Sequence, residues 1–306
     1  MAIDCTCNNT LQNLGSPDCP PVMQIARKFI FVPKYASNGV ENKLALDPNE
    51  ITKSQLLTRI NSTNSADRYY PTAQVDNTED VRAEPVTQEF NSGKIITVRE
   101  GARTNTSVIP LGSTQELGHY KSFGCSEFGA YVIDSGGNFI YYDKGDGYAY
   151  PIQVDSETFY CMLMKATDAE VQMLQLSWQW KLSQKDQNLR FKAADELDFD
   201  IEDLNGLFNV SGTYSNVSTA GFTLSLKTTD FDTPVSDIQL SDVTVNNMTS
   251  GSPVSVALSS WTENPLVEGE YAAVFGSALS GGDKFVSVIQ ENGFDFSSIS
   301  ADEQTI

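Results

Sequence analysis

The sequence predicts a mainly β chain. It should comprise an N-terminal antiparallel β-barrel or sandwich with one or two short helices and long arms, followed by a C-terminal immunoglobulin-like β-sandwich. The first observation behind this is the run Leu174-Gln175-Leu176-Ser177-Trp178-Gln179-Trp180-Lys181-Leu182, which alternates apolar and polar residues throughout. The second is a series of short alternating runs, separated by turn residues, after residue 208. The third is a change of composition at the same place: from Asn209 to Ile306 only Lys227 and Lys284 are basic, against twelve Asp and Glu. Together these divide the chain into 1–208 and 209–306.

The period of two held from Leu174 to Leu182 does not suit a helix, whose apolar positions recur every three or four residues. Leu174, Leu176, Trp178, Trp180 and Leu182 form the apolar face, and Gln175, Ser177, Gln179 and Lys181 the wet one. Phe29 to Val32 reads as a buried strand and Ile95 to Val98 as another. Ala130 to Ile133 and Asn138 to Tyr142 flank Asp134-Ser135-Gly136-Gly137, a hairpin signal. Tyr150 to Val154 and Thr158 to Met164 read as a second pair turning at Asp155-Ser156. A helix is expected after Asp47 as cap, with Pro48 at its first position and Glu50 at capping-box spacing. Its buried side would be Ile51, Leu56, Leu57 and Ile60. A second helix is expected between Asp186 and Leu204. The polar stretch Asn61 to Asn91 reads as irregular: an extended arm that wraps a neighbouring subunit, a disordered segment or a surface loop.

In the C-terminal part, Phe222, Leu224 and Leu226 alternate with polar neighbours, as do Val243 and Val245, then Val254, Val256 and Leu258. Tyr271, Ala273 and Phe275 follow, and Val286 and Val288 mark a later strand. Six or seven short strands in such a span fit an immunoglobulin-type sandwich, here without the Cys…Trp…Cys pattern.

The net charge of -20, with a pI near 4.3, bears on function. Phosphate binding needs Lys and Arg, and 20 basic residues stand against 40 acidic ones, so sequence-specific nucleic-acid binding is not expected. An acidic surface suits a conduit along which DNA slides without sticking. No apolar run is long enough to span a bilayer, so membrane insertion is not expected, and the start Met1-Ala2-Ile3-Asp4 lacks the features of a secretory signal.

Candidate chemistry is sparse. Cys5, Cys7 and Cys19 offer a Cys-x-Cys with a third cysteine, but paired Cys-x-x-Cys is missing and His119 is the single histidine. Reduced thiols are expected, including Cys125 and Cys161, and no metal or cofactor. His119, in Leu117-Gly118-His119-Tyr120, has no nucleophile motif beside it and reads as a loop or strand-edge residue. The acidic stretch Asp195, Glu196, Asp198, Asp200, Glu202 and Asp203 fails the EF-hand pattern, because its sixth and twelfth positions from Asp198 are Asp203 and Asn209. It reads as a solvated helix face. Asp143-Lys144-Gly145-Asp146-Gly147 reads as hairpin chemistry. The sequence names no catalytic, cofactor-binding or metal-binding residues, and a non-enzymatic role is expected.

Several segments together resemble a group of virion proteins from phages and prophages of Bacteroidetes. They are Cys7-Asn8-Asn9-Thr10-Leu11-Gln12-Asn13-Leu14-Gly15, Phe29-Ile30-Phe31-Val32-Pro33, Arg82-Ala83-Glu84-Pro85 and Val98-Arg99-Glu100-Gly101. Tyr150-Pro151-Ile152-Gln153-Val154-Asp155, Lys165-Ala166-Thr167-Asp168 and Leu204-Asn205-Gly206-Leu207 complete the set, which covers about the first two-thirds of the chain. The order of parts is similar to that of tail tube proteins. That resemblance implies homo-oligomeric stacked rings with an acidic lumen, contacts with other virion proteins, and assembly in the bacterial host cytoplasm. The neutral to slightly basic wet face of the Leu174 to Leu182 strand departs from an acidic lumen. The alternative expectation is a capsid-attached or fibre-like virion protein. Its domain 209–306 would make weak contact with host-surface glycans, through aromatics such as Trp261 and Tyr271 unless these anchor the sandwich core.

Overall fold

The computed structural model describes residues 22–46, 51–200, 203–291 and 293–306. Strand accounts for 46% of the chain and helix for 12%, which makes it a mainly β protein as the alternation predicts. The first body contains β1 (Ala26–Pro33), β2 (Leu44–Ala45), α1 (Lys53–Ile60), β3 (Tyr70–Pro71), β4 (Asp76–Arg82), β5 (Val86–Glu89), β6 (Ile95–Arg99) and β7 (Arg103–Pro110). After α2 (Thr114–Phe123) come β8 (Phe128–Asp134), β9 (Phe139–Asp143), β10 (Tyr148–Tyr150), β11 (Ile152–Met164), β12 (Met173–Trp180) and β13 (Leu189–Lys192).

Antiparallel pairing runs β1–β8–β11–β12–β7–β4. The chain leading into β4 then returns to β1, where Val75 N donates to Arg27 O at 2.7 Å and Thr78 Oγ1 to Ala26 O at 3.0 Å. The sheet thereby closes into a small barrel. Its interior holds Phe29, Phe31, Ile109, Phe128, Val154, Leu174, Leu176, Trp178 and Trp180, and α2 packs Leu117, Tyr120 and Phe123 against them. The other face of β1 and β8 is covered as well, by Leu56 and Ile60 of α1 with Phe199 and Leu204. Both faces being dry explains why every residue of β8 is buried and why its sequence shows no polar alternation.

β12 buries Leu174, Leu176, Trp178 and Trp180, but ends there, and Leu182 is exposed beyond it. The hairpin at Asp134 to Gly137 is present, with Gly137 at φ 78°. The second expected hairpin is not. Residues 152–164 form one strand whose two halves both pair with β12 across an irregularity between Asp155 and Tyr160. There Thr158 Oγ1 donates to Asp155 O and accepts from Gln179 N, so a side chain takes the place of a backbone group in the ladder.

α1 begins later than the sequence suggests. Thr52 is its cap and Gln55 completes the capping box, while Ile51 and Leu56 take the spacing of a hydrophobic staple. Asp47, Pro48 and Glu50 lie outside the described residues. The helix expected from Asp186 to Leu204 is replaced by single 3-10 turns, Asp186–Asn188 and Ala194–Glu196, around β13. Leu189 and Phe191 alternate there and pack against the barrel core while β13 pairs with β9. The stretch 61–91 is likewise not irregular, since β3, β4 and β5 lie in it.

The second body begins with β14 (Phe208–Ser218), β15 (Gly221–Thr228), β16 (Val243–Asn247), β17 (Val254–Val256) and β18 (Leu258–Glu263). It continues with β19 (Glu270–Phe275), β20 (Lys284–Ile289), β21 (Phe294–Asp295), α3 (Ser297–Ser300) and β22 (Gln304–Thr305). A five-stranded sheet, β18-β19-β15-β14-β21, and a four-stranded one, β17-β16-β20-β22, enclose a single core. The run Val254 to Leu258 is not one strand. β17 belongs to one sheet and β18 to the other, and Ala257 is the crossing point. On β20 the buried residues are Phe285, Ser287 and Ile289, so Val286 and Val288 form its outer face. The two bodies touch through Arg68, which pairs with Asp295, and through His119, whose Nε2 lies 3.0 Å from Asp230 Oδ1.

Candidate functional site

Between β4 and β7 the chain leaves the barrel as a two-stranded ribbon. Ile95-Ile96-Thr97-Val98 is a β-branched run and forms β6, which pairs with β5 through Thr87↔Thr97, Gln88↔Ile96 and Glu89↔Ile95. Asn91-Ser92-Gly93 makes the turn, with Gly93 at φ 75° and Phe90 N donating to Lys94 O at 2.9 Å. From Glu79 to Glu100 every residue except Ile96 is exposed, so both faces of the ribbon are wet. Val81, Ile95 and Val98 are each about three-fifths exposed, at 58%, 61% and 58%, and Val86 and Phe90 are also exposed. A lone two-stranded ribbon is marginal in water, and one that carries its β-branched residues outward has no core of its own.

The ribbon's base is where two of the motifs noted in the sequence meet. Arg82-Ala83-Glu84-Pro85 joins β4 to β5 on one side of the ribbon, and Val98-Arg99-Glu100-Gly101 runs from the end of β6 towards β7 on the other. Arg82 pairs with Glu100 at 3.2 Å, and Arg103 grips Asp80 with two bonds of 2.7 and 2.6 Å. Both arginines also reach Asp186. Arg103 lies 5.8 Å from the Trp180 ring, at one end of the barrel interior. Gly101 is required: a Cβ there would stand 1.7 Å from the Ala83 carbonyl oxygen. Gly101→Ala is therefore expected to pull the ribbon strands apart at their base. The measurable result is faster amide exchange over residues 83–101 with the barrel strands unchanged.

The outer face of the β4–β7–β12–β11 sheet is the second surface of note. Register places Thr104 and Thr106 beside Gln179 and Ser177, with Met162 beside Gln175. Half-buried amides, hydroxyls and thioethers make up the β12 part of this face, and carboxylates flank it: Glu79 beside Thr106, Asp76 beside Val108 and Asp155 beside Gln179.

The remaining residues singled out in the sequence have structural partners. His119 is on α2, not in a loop or at a strand edge, and its ring faces Asp230. Ser113 and Glu116 form a reciprocal capping box that starts this helix. This is a signature legible in the sequence but diluted by Gly118. The acidic stretch is not a helix face. Asp198 accepts from Lys53 N at the first turn of α1, and Asp203 pairs with Lys53 Nζ at 3.0 Å, so both carboxylates anchor that helix start. Glu202 lies outside the described residues, as do Cys5, Cys7 and Cys19. In the Asp143 to Gly147 turn, Asp143 accepts from Gly145 N and Asp146 from the Tyr150 hydroxyl.

Burial pushes the Cys161 thiol up to about 11, which keeps it protonated and a poor nucleophile at neutral pH. Trp261 and Tyr271 stack at 4.9 Å inside the sandwich, and their polar atoms bond to Ile238 O and Val235 O. They anchor the core and offer no face to a sugar. Among the described residues no three His, Cys, Asp or Glu are grouped to hold a metal, and no helix is long and apolar enough to cross a membrane. No family model matches this chain, and no curated protein or solved structure matches it.

Proposed function

We propose that this chain is a structural subunit of a tailed-phage virion, the tail tube protein, which self-assembles into stacked rings around a DNA-conducting channel. The observation that carries the self-assembling part is the ribbon. Residues 83–100 leave a closed barrel with both faces wet and with Val86, Phe90, Ile95 and Val98 outward. Such an element gains its stability from a neighbour, and a neighbour of the same kind repeats the contact without limit unless the rotation closes a ring. The resemblance of the first two-thirds of the chain to phage virion proteins supplies the virion context. The net charge of -20 suits a conduit that must not hold DNA. That repulsion comes from the whole body, because the outer face of β12 is neutral.

Negative-stain microscopy of the purified full chain tests the reading. Rings or tubes are the expected result. A second preparation, with Pro85 to Arg99 replaced by a short Gly-Ser link between Glu84 and Glu100, is expected to stay monomeric. Its unfolding midpoint should fall within about 2 °C of the parent, since surface changes away from the core are nearly neutral. A full chain that remains a monomer at high concentration would sink the proposal.

A further inference from the structure

The ribbon joins the barrel through a stretch where the β-ladder lapses. Arg82 pairs with Arg103 on the barrel side, and the next paired residues are Val86 and Arg99. Between them Ala83 N donates to Ala102 O at 2.8 Å, and Pro85 has no N–H to offer. Gly101 brings the strands closer than any side chain permits. A joint with so few backbone bonds bends at little cost.

Charge is what stiffens it. Within the hairpin, Arg82 holds Glu100 and Arg103 holds Asp80. Asp186 comes from elsewhere. It lies in the turn that opens β13, a strand paired on β9, and its carboxylate takes both Arg82 and Arg103, the latter at 3.5 Å. One acid thus ties the ribbon's base to β13, which lies outside the barrel wall and pairs with β9. Its side chain is 52% exposed and those of Arg82 and Arg103 are 36% and 25% exposed, so solvent screens these pairs and each is weak alone. Contacts of that strength hold a joint without welding it.

We infer that Asp186 is a latch that sets the direction of the ribbon and frees it when the two arginine contacts are lost. The latch stands on the geometry of the joint, and its use rests on the reading of the ribbon as an assembly arm. A ribbon already held in one direction loses less freedom on docking, so the latch favours assembly.

Hydrogen exchange of the full chain, native and Asp186→Asn, tests this at about 20 mM and about 1 M salt. At low salt the substitution is expected to speed exchange of residues 83–101 about three- to tenfold, while β8 and β12 stay as they were. High salt should bring the native chain to at least the variant's low-salt rate and speed the variant less, because only Arg82–Glu100 and Arg103–Asp80 are left in the variant to be screened. Equal rates for the two chains at low salt would overturn the latch, and so would equal acceleration of both by salt. Microscopy separates the two ideas. Tubes from a chain whose ribbon ignores Asp186 sink the latch alone, and a working latch on a chain that never assembles sinks the assembly reading alone.

Discussion

Trp178→Ala will cost the barrel about 3–5 kcal/mol, the range for removing a large aromatic from a packed core. Trp178 is 1% exposed and is the central ring of the barrel interior. It meets Phe29 edge-on at 4.9 Å, Trp180 at 5.5 Å and Phe31 at 5.7 Å. No collapse of the wall can fill the space, because the neighbouring strands are pinned by their ladders. Trp178→Phe should cost far less, about 1–2 kcal/mol. The ring contacts survive in part, and the indole N–H has no protein partner among the described residues to lose. Urea unfolding followed by circular dichroism measures both. Similar losses for Ala and Phe would show that packing is not what Trp178 supplies.

The second large effect is expected at Arg68, where the two bodies meet. Arg68 pairs with Asp295, each side chain 11% exposed, and its Nε donates to Ser62 O at 2.6 Å. Asp295 sits on β21 beside the first residues of β14, where the chain enters the sandwich. Arg68→Met removes one charge and strands the other, and should cost about 3–5 kcal/mol. Replacing both, as Arg68→Met with Asp295→Leu, should recover much of that loss. Burial acts to raise the Asp295 pKa, but hydrogen bonds from Arg68 and Ser297 outweigh it and the net shift is downward. A depressed folded pKa contributes stability above the unfolded value of 3.8, lost as pH falls through the folded one. The gap between native and double variant should therefore narrow in acid. A gap that is flat or widens with acid would contradict the assigned pair.

How much of this was legible depended on how far a signal reaches along the chain. Leu174 to Trp180 declared its buried face because a strand with one dry side alternates, and that needs no knowledge of the partner. The Asp134 to Gly137 turn was legible for the same local reason. Residues 186–204 misled, since charge suggested a solvated helix while Leu189 and Phe191 were already spaced as a strand. The Thr158 irregularity in β11 looked like a turn because Asp155-Ser156 has turn composition, and only the continuous pairing with β12 shows otherwise.

The ribbon marks the boundary most clearly. Ile95 to Val98 reads as a strand in the sequence, yet four β-branched residues in a row look the same whether they line a core or stand in water. Its partner, Val86 to Glu89, was hidden in a polar stretch. The bridge from Arg68 to Asp295 spans 227 positions and leaves no local trace.

The sequence by itself determined the mainly β class, the buried faces of the long strands and the net charge of -20, because these follow from composition and from a period of two. Only the tertiary structure decided that the sheet closes into a barrel, that one hairpin escapes it, and that Asp186 meets two arginines at its base. Those outcomes depend on which distant strands pair, and pairing energy is shared across partners that no single segment encodes.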